Sequence, residues 1–458
     1  MVPIALGQMR RRPAAFAGLA VALFLAVATV TLFGSLLAAD LTAPTAPSGR
    51  AEVTGPGLVV IAAAFGEIAV LVAFFVVVNT LGFALRQQHR ELALLRTVAA
   101  TPRQARRLVR GQVVATILLV TAPGWLAGWA GAQRFLSALQ RRGMAAPDLR
   151  VPATPLPMLI ALAAVLAVGL TAAAVAARRI SRIAPAVALT ASATEHGRTG
   201  AARLIAGAGV LVGGGLLLRL AATRPSAQAD KAGQAALLGS LVLLVGVALV
   251  GPLVARLVTA VVGAPVRAAA PGAGWLADAH LRGYARRLSS AVVPVALLVG
   301  LSGTMIIMTS TAEHTARAGT TSVTSATDVW LREAELALLV CFAAVSTVNT
   351  LVAVTADRRR EFALLRLVGA TRSQLMRMLT TEAALTSVVG VLLGASVAGA
   401  AAAAFSTALT GSAVPHVPPA ACAWLAAGAT VLTAPAILAT GLYATRGPAA
   451  HLVGGARD

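Results

Sequence analysis

RELALLRTVAATPRQ (Arg90–Gln104) and REFALLRLVGATRSQ (Arg360–Gln374) are one motif written twice. Ten of fifteen positions are identical at an offset of 270 residues. Each copy interrupts a long apolar stretch. In the first, Leu92, Leu95, Val98 and Ala99 recur at helical spacing, with Arg90, Glu91 and Arg96 off that stripe. The second repeats this with Phe362, Leu365, Val368 and Gly369 beside Arg360, Glu361 and Arg366. Thr101-Pro102-Arg103-Gln104 and Thr371-Arg372-Ser373-Gln374 both have the pattern of a capping box that opens a new helix. The motif predicts a short amphipathic helix, a sharp turn and a freshly capped helix, in duplicate.

The rest of the chain is mostly apolar. Hydrophobic residues make up 58% of it and charged residues 12%, against roughly 25% charged in a soluble domain. Mean hydropathy is +0.83. This is the balance of an integral membrane protein. Aromatics are only 4%, which favours close-packed helices of Ala, Val, Leu and Gly over a β-barrel with aromatic girdles. The expected class is therefore all-α and polytopic.

Ten runs are long and apolar enough to span a bilayer: 14–39, 58–85, 113–136, 156–177, 204–220, 235–262, 288–308, 334–355, 381–407 and 420–442. The first follows Arg10–Arg12 and is too long for the core of a signal peptide, so it reads as an uncleaved span. With the N-terminus inside, 28 of the 38 basic residues fall on the cytoplasmic side. Both termini are then cytoplasmic, and the net charge of +22 needs no nucleic-acid partner. Arg141, Arg142 and Arg150, in the predicted outer loop 137–155, run against this rule.

The duplication extends beyond the motif. Asn79-Thr80-Leu81 matches Asn349-Thr350-Leu351, and Gly124 matches Gly394. Pro185 to Leu189 and Pro448 to Leu452 close the copies with the same Pro-x-x-x-Leu step. Two four-span repeats, joined by two extra spans, are expected to be parallel because an even number of spans separates them. The expected divisions are 1–57 (first span and short outer loop), 58–190 (spans 2–4), 191–283 (linker and spans 5–6), 284–333 (span 7 and short outer loop) and 334–458 (spans 8–10).

The duplicated elbow admits two readings from its residues. A basic amphipathic helix could lie on anionic headgroups. Glu91, Glu361 and two matched caps instead suit docking into a protein groove and transmitting force. The pattern R-E-[LF]-A-L-L-R-x-V-[AG]-A-T-x-x-Q, with the closing Pro-x-x-x-Leu step, resembles the FtsX-like permease domain of ABC transporters, in the macrolide-exporter superfamily. The likeness covers roughly 60–190 and 330–458, and the ten-span layout is similar to the bacitracin-exporter arrangement.

That resemblance implies a permease subunit in the plasma membrane, in contact with lipid and with a cytoplasmic ATPase, two copies per chain. ATPase-coupling roles carry over to Arg90, Glu91, Leu94, Leu95, Arg96 and Thr101, and to Arg360, Glu361, Leu364, Leu365, Arg366 and Thr371. ATP and magnesium would sit on the partner and no cofactor on this chain. Two departures stand out. Outer loops 40–57 and 309–333 are too short for the outer domain that many relatives carry. Gln112 stands where the second copy has Glu382, a position the family usually gives to an acid.

No catalytic set or metal site is expected. A phosphate loop needs Gly-Lys-Ser/Thr, and the single lysine, Lys231, lies in Ala-Asp-Lys-Ala-Gly. The six histidines are scattered, and Cys341 and Cys422 read as packing residues. Glu67, inside span 2, is a candidate either for helix packing or for a substrate path. Gly124 and Gly128, matched by Gly394 and Ala398, are candidates for close helix packing, and a sharper reading makes them a sliding seam between the repeats. The functional expectation is an exporter or extractor of a lipophilic substrate, without an ATPase of its own. The alternatives are a transmembrane regulator of envelope enzymes and an ion-coupled secondary transporter.

Overall fold

The computed structural model describes residues 13–42, 57–87, 102–152, 154–181, 201–269, 271–317, 326–356 and 358–445. The motif copy at Arg90, Glu91, Leu94, Leu95, Arg96 and Thr101 lies outside them. Among the described residues the chain is helical with no strand. The helices are α1 (Pro13–Leu41), α2 (Leu58–Gln87), α3 (Pro102–Arg141), α4 (Leu156–Ser181), α5 (Ala201–Ala222), α6 (Ala229–Ala269), α7 (Pro271–Arg317), α8 (Ala326–Ala356), α9 (Arg359–Leu367), α10 (Arg372–Thr410) and α11 (Pro419–Ala444). All but α9 are long and apolar enough to cross a membrane, giving ten candidate spans among the described residues. Several exceed the expected bounds. With 40 and 39 residues, α3 and α10 are each about 60 Å long, twice a hydrocarbon core of about 30 Å.

Two compact units form, Met1–Glu195 with Ser325–Ser346, and His196–Thr324 with Thr347–Asp458. In the first, α1 packs along α2, α3 and α4. Its aromatic knot joins Phe33, Phe65 and Phe135 to Trp330 at the start of α8, with ring centroids 5.3 to 6.0 Å apart. The Arg142 guanidinium lies 4.3 Å over Trp330. The expected loop after α3 is a folded cap. Gln140 donates to the carbonyls of Ala146 (3.0 Å) and Leu149 (2.9 Å), and Met144 is buried.

The second unit is built around α7, which packs on α6, α10 and α11. The span Ala291–Arg317 of α7 is apolar along most of its length and buried on every side, as Val295, Ala296, Leu297 and Leu298 show. Proline 252 in α6 has no N–H for the Ala248 carbonyl. Arg203 of α5 fills that vacancy from the neighbouring helix, donating to Leu249 O (3.0 Å) and Ala248 O (3.2 Å).

The glycine stripes set helix spacing within each repeat. A Cβ on Gly124 would come within 2.9 Å of the Val27 Cβ, and one on Gly128 within 2.8 Å of the Thr31 Cβ and closer still to the Ala28 carbonyl. A Cβ on Gly394 would meet Val299 Cβ at 2.7 Å and Ala296 O at 2.8 Å. Ala398 faces Gly303, where an added Cβ would lie 3.2 Å from its own. Each stripe therefore faces the first helix of its own repeat, α1 or α7. Of the two readings of these residues, close helix packing and a sliding seam between repeats, the close approaches seen here are of the first kind.

Candidate functional site: the elbow at α9

The described elbow begins at Arg358. Only 6% exposed, its side chain sits between two carboxylates. Nη1 donates to both oxygens of Glu382 on α10, at 2.7 and 2.5 Å. Nε and Nη2 donate to Glu361 on α9, at 3.2 and 3.3 Å. The planar guanidinium fork suits this double grip, which an ammonium could not reproduce. Its carbon stands 5.0 Å over the ring of buried Phe362. Burial alone disfavours its charge, but Glu382 and Glu361 outweigh that and hold the proton more firmly than usual.

The base of α9 is tied to α11 as well. Arg366 donates to the Thr445 carbonyl at the end of α11 (2.9 Å), which completes an orphan acceptor of that helix. Arg359 lies over Tyr443, 5.1 Å from its centroid. Phe362 is fully buried, and Leu365 packs partly buried against the same apolar cluster as Leu375 and Leu379 of α10. One face of α9 is thus consumed inside the protein.

The other face is open. Leu364, Leu367 and Val368 form a ridge that is 47%, 54% and 89% exposed, at the three- and four-residue spacing of one helix side. The helix then stops in a Schellman turn. Gly369 takes φ +100°, a left-handed value that suits a residue without Cβ. Ala370 N–H donates to Leu365 O and Gly369 N–H to Arg366 O. Next comes the expected capping box, in which Gln374 N–H donates to the Thr371 hydroxyl and Thr371 N–H to the Gln374 side chain. Helix α10 starts there.

The structure redistributes the expected coupling residues of this copy. Leu364 is on the open ridge. Glu361 and Arg366 point inward to Arg358 and Thr445, Leu365 is inside, and Thr371 caps α10. Arg360 lies in the backbone of α9. Val368, on the expected stripe with Leu365, faces out: it follows Leu364 by four residues, still donates to the Leu364 carbonyl, and so falls on the Leu364 side of the helix. Arg358, Leu367 and Tyr443 escaped the motif reading. The Arg358–Glu361 spacing was a readable signal, whereas Glu382 and Tyr443 reach α9 only through folding.

Elsewhere, Glu67 lies on an exposed face of α2 inside its candidate span. His314 and His416, distant in sequence, stack with centroids 4.3 Å apart. Among the described residues no group of three His, Cys, Asp or Glu could hold a metal ion.

The family described as FtsX-like permease C-terminal matches residues 63–185 and 334–449, the second stretch containing the whole described elbow. The two matches together span just over half the chain. The protein belongs to the FtsX-like permease family. It is accordingly the membrane permease subunit of an ABC-type system and a multi-pass membrane protein. Permeases of this family work with a cytoplasmic ATPase and generally have no ATPase site of their own. No curated protein matches the chain. In this permease the double family match falls on the two repeats that the motif marks.

Proposed function

We propose that this permease couples ATP hydrolysis on a separate ATPase chain to export or extraction of a lipophilic substrate, and that α9 is one of two docking elbows. One observation carries the reading. An apolar ridge, Leu364, Leu367 and Val368, stands exposed on a short helix whose opposite face is fixed by ion pairs and packing. Exposed apolar side chains on a braced helix suit the groove of a protein partner. A helix lying on lipid would have no need of the internal brace.

The division 334–458 supplies the described elbow and the division 58–190 the second, so two ATPase copies serve one chain. Both termini lie in the cytoplasm with the elbows. Short outer loops and an apolar interior support a cargo taken from the bilayer. The test is co-purification of the ATPase with the full chain. Asp at both Leu364 and Val368 is expected to reduce ATPase retention at least tenfold without changing the melting temperature. Undiminished retention would refute the docking role.

A further inference from the structure

The repeat register exposes a difference that the motif conceals. At the 270-residue offset, Arg358 corresponds to Gln88 and Glu382 to Gln112. Residue 88 lies outside the described residues, so this comparison is of chemical identity alone. Two glutamines can hydrogen-bond, but they cannot form an ion pair. A third difference lies along the same helix. Pro123 interrupts α3, and its counterpart in α10 is Leu393. Proline removes one hydrogen bond of the helix and clashes with the preceding turn, which marks a place to bend. No proline falls within α10.

We infer that Arg358 is the positioning residue that transmits thrust in the second repeat, joining α9 through Glu361 to the foot of α10 through Glu382, and that the two repeats are mechanically unequal. The inference rests on the docking role proposed above. A push on the ridge at Leu364, Leu367 and Val368 reaches the guanidinium through one turn of α9. From there two short bonds carry it to Glu382, and an unbroken helix carries it to Gly411, where α10 ends. Repeat 1 carries glutamine at two of the three joint registers, with Glu91 at the third, and a proline in the strut.

The test uses the full chain with its ATPase in nanodiscs, with Cys341→Ala and Cys422→Ala as background and a single reporter, Ser412→Cys. Ser412 is exposed just beyond α10. The rate of its labelling by a water-soluble maleimide is compared without nucleotide and with ATP plus vanadate. The parent chain is expected to show at least a threefold change. The Arg358→Gln/Glu382→Gln pair copies repeat 1 and leaves no unmatched arginine. It is expected to keep the ATPase and its hydrolysis while losing most of the change. Arg358→Lys keeps the charge without the fork and is expected to recover only part.

Several results would overturn the inference: a nucleotide response in the Gln/Gln variant equal to that of the parent, a parent reporter that does not respond, or loss of the ATPase from the Gln/Gln variant alone. Failure of the unaltered chain to retain any ATPase would instead remove the docking role itself, so the two failures are distinguishable.

Discussion

The first helix pair of repeat 1 and that of repeat 2 solve one packing problem with their parts exchanged. Gly128 on α3 admits Thr31 of α1, whereas Gly303 on α7 admits Ala398 of α10. A small residue is required at the crossing, but either helix can supply it, since association inside a membrane depends on how closely backbones approach. The elbows are not exchanged in this way. Repeat 2 brings Arg358, Glu361 and Glu382 together, while repeat 1 carries glutamine at two of the three registers. Packing was kept through duplication, and the charged joint differs.

The strongest way to break the comparison is to fill both crossings. Gly128→Leu and Gly394→Leu each drive a side chain into the backbone of the facing helix, and each is expected to cost about 3 kcal/mol or more. Loss of a monodisperse peak in detergent chromatography would show it. Equal severity in the two variants would confirm that the crossings are equivalent. Gly399→Ala, where a Cβ meets nothing within 4 Å, is the matched control and should be neutral or slightly stabilising.

Removing one member of the charged joint comes next. Arg358→Gln leaves two carboxylates facing each other, at a cost of about 3 kcal/mol, near the low end for a broken buried pair because both glutamates are about a quarter exposed. Adding Glu382→Gln should return much of that loss in a thermal melt. Non-additivity of this sign would identify a pair, and simple addition would deny one.

Smaller effects sharpen the distinction further. Leu367→Asp alters an exposed ridge position whose counterpart is Thr97. It should shift the melting midpoint by no more than about 0.5 kcal/mol equivalent, while weakening ATPase retention severalfold. Thr371→Ala removes one half of a capping box and should cost about 1 kcal/mol. Comparing it with Thr101→Ala would show whether the two caps have equal weight.

The architecture was legible because its signals are local. Ten apolar runs, a repeated motif and Thr371 before Gln374 each announce themselves within a few residues. The outward face of α9 was half legible. Spacing of three groups Val368 with Leu365, but spacing of four equally groups it with Leu364, and the structure puts it on that open side. The carboxylate at residue 361 was read as a docking group because its charge suits a partner. In the structure it pairs with Arg358, three residues before it, a local spacing the sequence shows; only the second carboxylate, Glu382, arrives from another helix, a contact that periodicity does not report. The starts of α3 and α10 are legible in the Thr-x-x-Gln patterns before them, although hydropathy alone does not show them. Hydropathy marks where the oil stops, whereas α3, α6, α7 and α10 run on as helices past it.

The latch between Arg203 and the carbonyls of Ala248 and Leu249 has its own consequence. If α5 and α6 drew apart, a guanidinium near the end of α5 and two peptide oxygens of α6 would lose one another. Together with the packing of α5 along α6, the bonds tie the two helices into one hairpin.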